Sequence, residues 1–168
     1  GQYIERFLST VDAETIQNRR FSLLVDYSHG LATTAFPQIL GELQCRVLAM
    51  NNYIDSSHFA DPFSENEDQA SDIMRSLGYE IGVKIDPGAE RIALVDERGI
   101  WYTGLRLLTI VTKFVLDTYR DREPYKIAVP VQATMEIEEI ARERNVEVVR
   151  IRNSHGAMME ATKDPQVR

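Results

Sequence analysis

Apolar and polar positions follow two different periods along this chain, and the switches between them mark its elements. Apolar residues at Tyr3, Ile4, Phe7, Leu8 and Val11 recur at the spacing of one helix face. The polar stretch 12–20 either extends that helix or connects it onward. The dense run 21–26 predicts a buried strand, with the turn 27–30 behind it. A second helix carries Ala35, Phe36, Ile39, Leu40 and Leu43 on one face. Pro37 fits only its first turn, where the missing N–H costs nothing, so the helix is expected to start near Thr33 or Thr34. Residues 46–50 predict a short strand, and 51–63, with no sustained period, a loop. Ser64 and Glu67 have the form of a capping box ahead of the stripe Ala70, Ile73, Met74 and Leu77, and Gly78 closes that helix.

A β-branched run, 80–85, ends at Asp86. Pro87 and Gly88 turn the chain, Glu90 and Arg91 follow, and a new strand, 92–96, starts at once, with the turn 97–99 after it. The order is β-α-β-α-β-β, an α/β layer pattern. A long helix then places Leu105, Leu108, Val111, Thr112, Val115, Leu116 and Tyr119 on one side. Strand 126–131, helix 135–144 and strand 146–151 complete a second, unfinished unit that begins near Trp101. An edge of three strands lacking the rest of its sheet would expose apolar surface. The domains are assigned to 1–100 and 101–168, and both ends of the chain read as cuts from a longer one.

Composition narrows the function classes. A hydrophobic fraction of 43% is ample for a packed core, and a net charge of −7 argues against nucleic acid and anionic membrane as partners. No apolar run approaches the ~20 residues of a membrane span, and no signal peptide is visible, so a cytoplasmic protein is expected. The single cysteine, Cys45, excludes an internal disulfide, cannot build a zinc site and reads as a small core residue.

The candidate chemistry is sparse. Ser28-His29-Gly30 and Ser154-His155-Gly156 read first as polar turns after strands, since sequence neighbours rarely form a nucleophile–base pair. His58 reads as a solvated loop residue. Neither G-x-G-x-x-G nor G-x-x-x-x-G-K-[ST] follows a strand. Asp26 is either a ligand or the acceptor for a turn N–H, with the turn favoured. Glu136, Glu138, Glu139, Arg142, Glu143 and Arg144 read as a solvated helix face with i,i+4 pairing. That leaves the loop 86–91. Its carboxylates, Asp86 and Glu90, with Arg91 beside them, would make a weak Mg²⁺ site, because Mg²⁺ demands near-octahedral oxygen ligation. On the residues alone the loop is a turn held by an Asp–Arg or Glu–Arg pair.

Four stretches carry a resemblance: Val25-Asp-Tyr-Ser-His-Gly30, Pro37-Gln-Ile-Leu-Gly-Glu-Leu43, Ile85-Asp-Pro-Gly-Ala-Glu-Arg91 and Leu94-Val-Asp-Glu-Arg-Gly99. In order and spacing the sequence resembles the α-D-phosphohexomutases (phosphomannomutase/phosphoglucomutase), over their second domain and most of the third. The resemblance implies an α/β fold of two consecutive three-layer α/β/α units with mixed sheets, the second truncated. Family enzymes move phosphate between hexose positions through a phosphoserine in the first domain, with Mg²⁺ held by the loop D-G-D-A-D-R. Carried over, Asp86 keeps the first aspartate, Gly88 replaces the second, Glu90 the third and Pro87 the intervening glycine, while Arg91 is retained as a substrate-binding candidate. Gln132 falls where a substrate-binding lysine is expected, and His155 on a retained histidine.

The resemblance therefore implies a vestigial metal loop at Asp86 and Glu90 and no catalytic residue in this fragment. No cofactor is expected, with Mg²⁺ present only if the altered loop still binds it. Three readings follow: a mutase-like module of a larger sugar-nucleotide protein, specifically a mannose-1-phosphate guanylyltransferase fusion; a piece of an active Mg²⁺-dependent mutase; or a structural or oligomerising module. The partners implied are a sugar phosphate, the missing domains of the parent chain, and a second copy of the chain.

Overall fold

The computed structural model describes residues 1–55, 67–119 and 125–167. The loop histidine His58 and the capping serine Ser64 lie outside them. The chain divides into two compact units, Gly1–Tyr102 and Thr103–Arg168.

In the first unit, helices α1 (Gln2–Leu8) and α2 (Ala13–Arg19) precede strand β1 (Ser22–Asp26). The polar stretch after α1 is a separate helix because Asp12 caps it, its carboxylate accepting from the Thr15 N–H at 3.1 Å. A 3₁₀ turn (Leu31–Thr34) leads into α3 (Phe36–Glu42), which admits Pro37 in its first turn. Next come β2 (Arg46–Met50), α4 (Glu67–Leu77), β3 (Ile81–Ile85), β4 (Ile92–Asp96) and β5 (Trp101–Tyr102), a pair of residues that the sequence pattern had assigned to the following unit. The sheet runs β2-β1-β3-β4-β5. Strands β1, β2 and β3 are parallel, β4 antiparallel to β3, and β5 antiparallel to β4.

Alternation along β1 builds a core on each face of this mixed sheet. Leu24 packs with Ala70 and Met74 of α4 and with Val95, while Val25 packs with Leu40 of α3 and Ile85. The result is a three-layer α/β/α unit. Leu77, expected in the buried stripe of α4, is instead 56% exposed at its last turn.

The second unit holds α5 (Gly104–Thr118), β6 (Lys126–Pro130), α6 (Glu136–Arg142), β7 (Glu147–Ile151) and α7 (His155–Ala161). Strands β6 and β7 pair in parallel, and Val167 makes an isolated parallel bridge to Lys126. Thus the described sheet has two strands, and a third stretch begins to pair with it at the last described residue. Leu116, Ile127, Val129, Ile137 and Ala141 form its core.

The buried face of α5 is rotated from the expected stripe. Leu107, Thr109, Thr112 and Leu116 are buried, whereas Leu105 and Val111 are exposed. Threonine is tolerated there because Thr109 Oγ1 finds the Leu105 carbonyl at 3.1 Å and Thr134 Oγ1 at 3.3 Å. The charges of α6 also depart from the expected i,i+4 pairs: Glu138 meets Arg150 of β7, and Arg144 meets Asp117 of α5. Tertiary packing brings these partners closer than the helix's own surface does. No described helix is long and apolar enough to cross a membrane.

Candidate functional site

In the first unit the strand order places β2 and β3 on opposite sides of β1, so the carboxyl ends of β1 and β3 flank a topological switch point, where α/β sheets bind ligands. Two loops meet there. After β1, Asp26 is buried and its Oδ1 accepts from the Ser28 N–H at 2.9 Å and from Asn51 Nδ2 at 2.8 Å. The turn reading of Asp26 is the one the structure bears out. Ser28 and His29 take positive φ values of 46° and 56°, which Asp26 and the His29 N–H to Asn51 carbonyl bond (3.2 Å) hold in place. The His29 ring meets Tyr53 edge-on with centroids 4.4 Å apart. Tyr27 Oη and Ser28 Oγ are buried with no partner among the described residues, and burial pushes the Tyr27 phenol up. Lys84 of β3 is buried and stands in register with Asp26.

The second loop is 86–91. Asp86 is 8% exposed, and its Oδ1 accepts the backbone N–H groups of Glu90 at 2.7 Å and Arg91 at 3.0 Å. Its own N–H donates to the Arg91 carbonyl at 3.0 Å, and its carbonyl accepts from Ala89 at 2.9 Å. The loop thus closes on Asp86 through the backbone, with Ala89 at φ 57°. The expected ion pair of Arg91 with Asp86 or Glu90 is corrected: neither pair forms among the described residues, because the two N–H bonds already stabilise the turn and leave Glu90 and Arg91 exposed. The loop is also anchored from outside, since the Leu31 N–H donates to the Pro87 carbonyl at 2.9 Å.

The Mg²⁺ that the resemblance implies can be tested against these donors. Asp86 has one oxygen committed twice over, Gly88 offers no side chain, and Glu90 stands in solvent. Among the described residues no three His, Cys, Asp or Glu side chains are grouped to hold a metal. The residues present do not fit a three-carboxylate Mg²⁺ site.

In the second unit, Gln132 and His155 share the carboxyl end of the β6–β7 sheet, where Pro130 and Ile151 are register partners. Gln132 is exposed in the turn after β6. Arg150 clamps that turn, donating to the carbonyls of Val131 at 3.0 Å and Ala133 at 2.8 Å while its Nε reaches Glu138 at 2.7 Å. His155 is exposed too. It is not part of a plain turn as first expected but opens α7, where Ser154 is the N-cap, accepting from the Ala157 N–H at 3.2 Å.

Sequence reasoning missed Asn51, Tyr53, Lys84 and Arg150. A lysine or arginine inside a strand pattern reads as solvent-facing, and nothing local signals a clamp made on another loop.

A three-layer α/β/α unit with polar loops meeting at the switch point of its parallel strands belongs to the class of α/β domains that carry ligand sites at that sheet end. The particular family follows from sequence. Residues 1–99 match the family described as phosphoglucomutase/phosphomannomutase, alpha/beta/alpha domain II, and the chain belongs to that family. It is 30% identical over 152 residues to the phosphoglucomutase/phosphomannomutase of Thermococcus kodakarensis, covering 88% of this chain and 32% of that one. It is 24% identical to the phosphoglucosamine mutase of Methanocaldococcus jannaschii, covering 94% of this chain and 35% of the relative. A solved phosphoglucomutase/phosphomannomutase family protein from Burkholderia thailandensis superposes with a TM-score of 0.73 at 19% identity, over 95% of this chain and 36% of that one. The chain spans about a third of the length of the curated relatives it matches.

Proposed function

We propose that this chain is a phosphohexomutase-like module, second domain plus part of the third, that binds a sugar phosphate without itself performing phosphoryl transfer. The observation that carries this is Asp86. Its Oδ1 is bound by the Glu90 and Arg91 N–H groups, and Gly88 leaves the middle ligand position empty of oxygen. Phosphoryl transfer depends mainly on neutralising charge at the transferring group, and a loop short of carboxylates supplies little of the metal that does so.

The recognition role falls to exposed donors. Arg91, free of ion pairs among the described residues, suits a phosphate or a hydroxyl-rich ligand; Gln132 and His155 offer an amide and an imidazole from the second unit. The matches to relatives extend past residue 99, over 88–94% of the chain, which supports assigning the second unit to the same kind of protein. The proposal extends to the parent as a cytoplasmic sugar-nucleotide protein in which the module is joined to a mannose-1-phosphate guanylyltransferase-like domain. The reading frame upstream of Gly1 tests that part.

Calorimetric titration of the intact protein tests the metal part. The expected result is no Mg²⁺ binding in the micromolar range. Micromolar binding that Asp86→Ala abolishes overturns the reading. Titration with glucose 1-phosphate tests the ligand part, with binding expected to weaken on Arg91→Ala where the first unit holds the ligand and on His155→Ala where the second does.

A further inference from the structure

The opposite end of the first unit's sheet carries a different charge pattern. At the amino ends of β1 and β2, residues Arg20, Ser22, Gln44, Cys45 and Arg46 line a groove of about 570 Å³, a volume within the range of small-molecule sites. No carboxylate is among these lining residues. Two helix ends and a strand pair shape the groove. Arg20 ends α2 in a left-handed conformation, φ 51°. Gln44, φ 55°, ends α3 in a Schellman cap, with the Cys45 N–H bonded to the Leu40 carbonyl at 3.0 Å and the Gln44 N–H to the Gly41 carbonyl at 2.9 Å. Arg46 is fixed across from Ser22 by the β1–β2 register, and its guanidinium lies over the Tyr79 ring, 5.5 Å from the centroid.

The neighbouring acid, Glu80, feels the charge of Arg46, but its direct contacts go elsewhere. Glu80 is held by the Ser22 N–H at 2.9 Å and by the Arg19 guanidinium, which itself stacks on Phe21. Arg20 and Arg46 have no ion pair among the described residues. In a chain of net charge −7, two guanidinium groups outside any ion pair among the described residues are thus gathered in one groove with a hydroxyl, an amide and a thiol.

We propose that this groove is a binding site for a compact oxyanion, phosphate or polycarboxylate, at the sheet end opposite the 86–91 loop. Guanidinium forks match the geometry of both anions, and the Ser22 hydroxyl and Gln44 amide add neutral donors. The site is independent of the Mg²⁺ loop, so it stands or falls separately from the sugar-phosphate reading.

Cys45 provides the readout, because it is the only cysteine and it lines the groove. The rate of its alkylation by neutral N-ethylmaleimide is measured on the whole chain, at constant ionic strength, with pyrophosphate, citrate or chloride. A dissociation constant of about 1 mM is expected for two exposed guanidinium groups, so ~10 mM pyrophosphate slows alkylation about tenfold by mass action. Protection by pyrophosphate alone identifies a phosphate site; protection by citrate as well identifies a general oxyanion site. The double variant Arg20→Gln/Arg46→Gln, at exposed positions, loses the protection while its unfolding midpoint is kept. Arg91→Ala, at the other sheet end, keeps the protection. Absence of slowing by either anion overturns the proposal, as does equal slowing by chloride or undiminished protection in the double variant.

Discussion

Gly30 and Pro87 touch through their backbones. A Cβ placed on Gly30 would lie 2.3 Å from Pro87 Cα, 2.6 Å from its carbonyl oxygen and 2.8 Å from its carbonyl carbon. Gly30 has φ −102° and ψ −173°, extended values that any residue adopts, so space alone demands glycine here. The contact joins the turn after β1 to the 86–91 loop. Gly30→Ala is therefore expected to force the loops apart and cost about 2 kcal/mol or more, in the range of overpacking changes. The clashing atoms are main chain, so Pro87→Gly does not rescue it. Urea unfolding of the single and double variants is the check, and full rescue by Pro87→Gly would contradict the steric account.

Asp96 holds the turn between β4 and β5. Burial pushes its carboxyl up, but the N–H groups of Ile100 and Arg98, the Arg98 guanidinium and the Tyr102 hydroxyl outweigh that and bring it down to about 2. A carboxylate whose folded value lies below its unfolded value of ~3.9 stabilises the fold fully above that pH, and the contribution is lost as pH falls towards 2. Asp96→Asn is expected to lower stability by roughly 1–2 kcal/mol at pH 7. The difference from the parent should shrink between pH 4 and pH 2, about the window set by the two values. Chemical denaturation across this range measures it, and a deficit independent of pH would point to lost shape rather than lost charge.

Most of this fold is legible in the sequence, and the exceptions have physical causes. Strands β1 to β4 are marked by short apolar runs, and Asp26 and Asp86 by their places at strand ends before turns. Strand β5 is too short for a period, and α7 is a short helix of about two turns with no buried face, hidden behind a Ser-His-Gly triplet that reads as a loop. The rotation of the buried face of α5 comes from where α6 packs, which no local pattern encodes. At the candidate site the sequence identifies Asp86, Glu90 and Arg91 as a group. The pairing expected of Arg91 fails because backbone N–H groups, invisible to a side-chain reading, satisfy Asp86 first.

Arg150 is the clearest case of a residue whose role depends on tertiary placement. With Glu138 it forms a pair in which the side chains are 26% and 22% exposed, and it also binds two carbonyls of the turn that carries Gln132. Glu138 Oε2 is buried without a partner among the described residues, so removing the arginine leaves an uncompensated carboxylate. Arg150→Met is expected to cost about 2–4 kcal/mol, and adding Glu138→Gln to recover a good part of it. Amide exchange at residues 131–134 should rise in Arg150→Lys even where its global stability is close to the parent's, because a lysine cannot bind both carbonyls and Glu138 at once. Unchanged exchange there would leave Arg150 as a simple ion-pair partner.

The loop around Asp86 can be taken in the opposite direction, towards metal binding. A Cβ on Gly88 has room, its nearest neighbours being Glu90 Cγ at 3.6 Å and Cδ at 3.8 Å, so a side chain can start here without a backbone clash. Glu90→Asp shortens the exposed carboxylate, and Pro87→Gly frees the backbone while keeping the carbonyl that accepts from Leu31. The triple variant Pro87→Gly/Gly88→Asp/Glu90→Asp is expected to bind Mg²⁺ at least about tenfold more tightly than the parent, since one added carboxylate and one shortened one supply the oxygens a small octahedral ion requires. Asp86→Ala in that background should return affinity to the parent level, even though Asp86 Oδ1 is engaged by the loop, because its second oxygen and the loop's closure both depend on it. Calorimetry of the three proteins separates the outcomes. An unchanged affinity in the triple variant would mean that the backbone closed on Asp86, and not the missing carboxylates, is what keeps the metal out.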